Sequence, residues 1–144
     1  MKNGFASLPT MIVITALLIT VSIGIASISF TELLAVSGER QTREAYLYAE
    51  TGARDALLRV AKNKNYSCFS GTGCPYQILF APNGCETFDG CAFVQVNSGA
   101  GTLANPKIIT SIGRVRTFTR AMQITIIFDA EQNGEIVSTS WQEL

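Results

Sequence analysis

The chain has 144 residues, with 11 basic and 11 acidic side chains and no histidine. A net charge of zero leaves no broad basic surface for a nucleic-acid footprint, so no nucleic-acid partner is expected. Without histidine the commonest general base and the commonest zinc ligand are missing, and serine or cysteine nucleophiles lack their usual partner. No carboxylate pair, glycine-rich phosphate loop or nucleophile–base couple stands out, and the chain is not expected to be an enzyme.

Residues 5–31 hold no Lys, Arg, Asp or Glu. An apolar run of that length reads as a membrane span and not as a core helix. As an ideal helix it covers ~40 Å against the ~30 Å of a bilayer's hydrocarbon core, enough to cross with tilt. Lys2 precedes it and Glu32 is the next charge, which favours a cytoplasmic N-terminus and export of the rest. Gly24, Ala26, Ser27 and Ser29 are small residues that let helix backbones approach closely in lipid. A signal-peptidase cut near Ala26 is disfavoured, because the helical pattern continues beyond it.

From Glu32 to about Lys62 the pattern turns amphipathic. Ala45, Ala49, Ala53, Ala56 and Val60 recur at three-and-four spacing, one face of a helix. Glu50 precedes Arg54, and Asp55 precedes Arg59, by four residues in the favourable acid-then-base order. Gly38 and Gly52 weaken this helix without ending it. Asn63-Lys64-Asn65 ends it. One helix over about 9–62 is therefore expected, starting at Pro9 with residues 5–8 extended ahead of it, since proline is tolerated where the first N–H groups have no helical partner.

After residue 65 glycine, threonine, asparagine and short β-rich runs take over. Candidate strands are 76–80, 92–96, 107–112, 120–129 and 135–141, and Asn133-Gly134 is a hairpin signal between the last two. Strands laid on the second half of the helix would bury the alanine stripe and one sheet face together. The fold class expected is α+β: one long N-terminal helix packed on a small antiparallel sheet of about four strands. Its divisions are 1–4 as a polar stub, 5–36 as the membrane half of the helix, 37–65 as the amphipathic half and 66–144 as a β-rich head.

Cys68, Cys74, Cys85 and Cys91 form two C-x5-C spacings. Zinc knuckles are shorter, so disulfides in an oxidising compartment are the reading. Of three connectivities, 68–74 and 85–91 are preferred, because each encloses glycine-containing turns. Asp129, Glu131, Asn133 and Glu135 have the rhythm of a calcium loop's start, but position twelve would be Ser140 and not glutamate. A polar hairpin turn explains the same residues, and no cofactor is expected, calcium being the alternative. Arg114, Arg116 and Arg120 sit between two strands, where they would meet DNA phosphates or an acidic partner; charges guarding a solvated loop or edge strand are the commoner explanation. Tyr46 and Tyr48 read as helix-to-sheet contacts or surface.

The junction Gly4-Phe5, the apolar run behind it and the amphipathic continuation of the same helix resemble the type IV pilins and pseudopilins. The stretch Tyr46-Leu47-Tyr48-Ala49-Glu50-Thr51-Gly52-Ala53-Arg54-Asp55-Ala56 and the ending Ser140-Trp141-Gln142-Glu143 are similar to regions of minor pilins. The resemblance implies cleavage by prepilin peptidase between Gly4 and Phe5 and N-methylation of Phe5. It also implies a single-pass stay in the cytoplasmic membrane with the head extracytoplasmic, and later transfer to an extracellular filament. The partners it implies are other pilin subunits contacted through the helix, the peptidase, the pilus assembly platform and, before assembly, membrane lipid. Most members carry glutamate four residues after the first mature residue; here that position is Pro9, which points to a minor, tip or initiating subunit. The alternative expectation is a membrane-anchored adhesion or receptor module.

Overall fold

The computed structural model describes residues 7–87, 89–129 and 134–144. A helix α1 (Ser7–Lys62) is followed by β1 (Tyr76–Leu79), a short helix α2 (Gly84–Thr87), β2 (Cys91–Val96), β3 (Lys107–Val115), β4 (Phe118–Phe128) and β5 (Ile136–Glu143). The chain divides within α1 into two units, Met1–Glu39 and Arg40–Leu144.

The described part of α1 is helical already at Ser7 and Leu8, ahead of Pro9, where the proline suggests a start.

In the second unit the five strands make one antiparallel sheet in the order β1-β2-β3-β4-β5. All five candidate segments pair, giving one strand more than the four expected. The helix stripe closes over this sheet: Ala49, Ala53, Ala56 and Val60 are fully buried against Ala92, Val94, Val96, Ile109, Met122, Ile124 and Ile126, and Ala45 is fully buried as well. Alanine matters here because short side chains bring the helix axis down onto the sheet. Gly52 belongs to the same stripe, and a Cβ added there would lie 2.8 Å from Val94 Cγ2. At Gly113 on β3 the approach is closer still: an added Cβ would run into the Ala45 carbonyl oxygen and sit 2.5 Å from the Ala49 nitrogen.

β3 is longer than its apolar pattern indicates. Its buried positions are Lys107, Ile109, Ser111, Gly113 and Val115, a series that alternates in burial but not in hydrophobicity. Ser111 is fully buried and its hydroxyl has no hydrogen-bond partner. Lys107 is buried as well; its ammonium donates to the carbonyl oxygens of Tyr66 (3.2 Å) and Asn97 (3.4 Å). Loss of water around that ammonium lowers its pKa.

β3 and β4 are joined by Arg116-Thr117 alone, since Val115 and Phe118 are paired. Arg116 takes φ 52°, a left-handed conformation that glycine or asparagine adopts more readily. β5 forms an edge of the sheet and is exposed along its whole length.

Candidate functional site

The features that bear on function are the apolar half of α1 and the cross-links that hold the second unit together. From Pro9 to Ser37 every residue is exposed, including Met11 (70%), Ile14 (59%), Ile25 (62%) and Leu33 (69%). The helix is long and apolar enough to cross a membrane. Its hydroxyls do not spoil that. Thr15 donates to the carbonyls of Met11 and Ile12, Thr20 to Leu17, Ser22 to Leu18, Ser27 to Gly24, Ser29 to Ile25 and Thr31 to Ile28, at 2.7–3.1 Å. Hydrocarbon offers no hydrogen bonds, so polar groups there must be satisfied from within the segment, and these are. Gly24 has nothing within 4 Å of where a Cβ would be, leaving open space beside the small-residue face.

The predicted cleavage residues Gly4 and Phe5 lie outside the described residues, as do Glu131 and Asn133 of the predicted calcium loop. Of the remainder, Asp129 and Glu135 close the base of the β4–β5 hairpin, where the Asp129 N–H donates to the Glu135 carbonyl at 2.8 Å. Gly134 takes φ 78°, as the Asn-Gly turn signal requires. The Lys64 side chain lies against it, with Nζ 3.1 Å from the position of an added Cβ, so an ammonium already stands beside this turn. Among the described residues no cluster of three His, Cys, Asp or Glu could hold a metal ion.

The cysteines pair locally, Cys68 with Cys74 and Cys85 with Cys91, each at a Cα separation of 5.1 Å. The first pair fixes the loop after α1. Cys68 also exchanges backbone hydrogen bonds with Val96 at the end of β2 (2.8 and 3.1 Å). The second ties α2 to the first residue of β2. Cys68 and Cys91 are buried, so both bridges have one end in the core.

Polar and aromatic contacts hold the helix to the sheet's β1 side. Asp55 accepts from the Tyr76 hydroxyl at 2.7 Å and from Arg59 Nε at 2.8 Å, and the Arg59 guanidinium lies 4.5 Å from the Tyr76 ring centre. The Asp55–Arg59 and Glu50–Arg54 pairs read from four-residue spacing both form. Tyr48 stacks on Phe80 with centroids 4.1 Å apart, and Tyr46 packs against the core; both are structural contacts. Sequence spacing could not show the Tyr76–Asp55 bond, whose partners are 21 residues apart, nor the buried Lys107.

Burial first, and then the bond to Asp55, push the Tyr76 phenol well above its ordinary value of 10.0. The fold therefore holds the neutral phenol. Its contribution is complete below pH 10 and is lost as the pH rises beyond that. Tyr76→Phe should cost about 1 kcal/mol at neutral pH and give a flatter fall in stability above pH 10. Urea unfolding at several pH values, with and without the substitution, measures this. Lys107 titrates in the opposite sense but is common to both proteins. Parallel alkaline limbs would refute the assignment.

The three arginines separate. Arg120 on β4 pairs with Glu143 at 3.3 Å. Among the described residues Arg114 and Arg116 have no carboxylate partner, and they line a cleft with Thr87, Thr117 and Thr119.

No family model, curated protein or solved structure matches this chain.

Proposed function

We propose that the chain is a structural subunit of a type IV pilus or a type II secretion-like pseudopilus. In this reading prepilin peptidase cuts between Gly4 and Phe5 and Phe5 becomes the N-methylated terminus. The subunit waits as a single-pass protein of the cytoplasmic membrane, its disulfide-bonded part on the oxidising side. An assembly platform then moves it into a filament of like subunits.

The observation that carries this reading is the composition of α1. Its first half is apolar on every side and exposed, and its second half hides an alanine stripe under a sheet. A helix that must exchange lipid for neighbouring helices meets two apolar media in turn. The exchange is inexpensive here because Ser22, Ser27, Ser29 and the threonines carry their hydrogen bonds with them. Association then rests on close packing, which Gly24 and its small neighbours permit.

Pro9 stands where most pilins place a glutamate. A buried carboxylate demands a partner charge, and Pro9 makes no such demand. That fits a subunit at a tip or an initiating position, which need not repeat the same contact with identical neighbours on both sides. It also favours the second reading, a permanently anchored adhesion or receptor module. Mass spectrometry of the mature chain decides the processing step. The expected terminus is N-methyl-Phe5; an intact Met1, or a terminus near Ala26, would refute it.

A further inference from the structure

We infer that the cleft at the β3–β4 turn is a binding site for a compact oxyanion, of the phosphate or sulfate kind. This does not rest on the filament reading.

The cleft holds about 530 Å³ and is lined by Thr87, Arg114, Arg116, Thr117 and Thr119. Among its described lining residues there are two cations and no carboxylate. Elsewhere in the second unit Arg40, Arg54, Arg59 and Arg120 each hold a carboxylate, whereas Arg114 and Arg116, like Arg43, hold none among the described residues. Arg114 at the end of β3 and Arg116 in the turn that follows are like charges two residues apart, and an anion beside both would offset their repulsion.

Three details show a prepared arrangement. First, the Arg114 guanidinium lies over the Phe93 ring, 5.1 Å from its centre, which fixes its plane while leaving its edge N–H groups for a ligand. Second, Arg116 sits at φ 52°, where glycine or asparagine would be less strained. A charged side chain is thus kept at a position whose backbone favours another residue. Third, the hydroxyls of Thr117 and Thr119 have no partner among the described residues and are available to donate. Thr87 differs, because its hydroxyl already donates to the Asn83 carbonyl at 3.1 Å and serves only as wall. Two guanidiniums and two free hydroxyls match a tetrahedral dianion with several acceptor oxygens, where bonds to charged groups are the strong ones. The same group could arrive as free phosphate or as a phosphoryl group on a sugar.

The test is an NMR titration of the full chain in zwitterionic micelles, following the Nε–H signals of Arg114, Arg116 and Arg120. Sodium phosphate and glucose 6-phosphate are added separately, with sodium chloride at matched ionic strength. Saturable shifts of Arg114 and Arg116, but not of Arg120, are expected with phosphate. Tighter binding of the sugar phosphate would identify the ester as the source, and equal binding the free anion. Arg114→Gln should weaken binding about tenfold or more, whereas Arg120→Gln should leave it unchanged. Arg116→Gly separates binding from folding: relief of the turn should raise the melting temperature while binding is lost. The proposal falls if the shifts follow chloride equally, if Arg120→Gln weakens binding as Arg114→Gln does, or if a single-stranded oligonucleotide binds while neither phosphate does.

Discussion

Replacing Gly113 with alanine should lower the melting temperature of the second unit by on the order of 12 °C or more, from a loss of about 3 kcal/mol. The added methyl group would run into the Ala45 carbonyl oxygen and lie 2.5 Å from the Ala49 nitrogen. Both are backbone atoms of α1, held by the helix's own hydrogen bonds, so no rotamer change can make room. The helix would have to lift from the sheet and open the contacts of Ala45, Ala49, Ala53 and Ala56, all fully buried. Gly24→Ala is the control, because nothing lies within 4 Å of its added Cβ. Near-UV circular dichroism of Trp141 and the tyrosines, in detergent, follows the transition. An unchanged melting temperature in Gly113→Ala would mean that helix and sheet are not in this contact.

Reduction of the two disulfides should have an effect of similar size. Each bridge closes a short loop between cysteines six positions apart. Restriction of the unfolded chain by a loop this small is worth about 2 kcal/mol. For a unit of this size, whose total stability is on the order of 5–15 kcal/mol, losing both removes a large share. Each paired variant, Cys68→Ala with Cys74→Ala and Cys85→Ala with Cys91→Ala, should lower the urea midpoint by about 1 M, given the usual dependence on denaturant. Crossed variants that remove one cysteine from each bridge should be worse than either. They would leave two unpaired thiols, one of each bridge, in place of one intact bridge. Midpoints that do not move with reductant would contradict the pairing.

Much of this architecture can be read from residue spacing. The alanine stripe shows because helical periodicity is a local property: residues three and four apart must share a face, whatever they meet there. The Glu50–Arg54 and Asp55–Arg59 pairs are legible for the same reason. β4 announces itself by strict alternation through Met122, Ile124 and Ile126.

β3 does not, and the cause is physical. Its buried face is chosen by the helix passing over it, so Ser111 and Gly113 occupy places where an apolar side chain would be too large. Lys107 is buried at the end of the strand because two carbonyl oxygens receive its ammonium. The tight turn at Arg116-Thr117 is hidden because it lacks the glycine or asparagine that marks such turns. The cysteine pairing was legible from the glycine-containing loops between the partners. The separation of Arg120 from Arg114 and Arg116 was not, because Glu143 reaches Arg120 only across the β4–β5 pairing.

The proposed function joins these pieces through α1. An apolar half in which Thr15, Thr20, Ser22, Ser27, Ser29 and Thr31 bond to the helix's own carbonyls can move between lipid and protein, while an amphipathic half is committed to its sheet. The most direct test is mechanical shearing of cells, followed by mass spectrometry of the released filaments and of the membranes. The filament reading predicts the chain in the sheared fraction with N-methyl-Phe5 at its terminus. Recovery in the membrane fraction alone would contradict it and identify the helix as a permanent anchor.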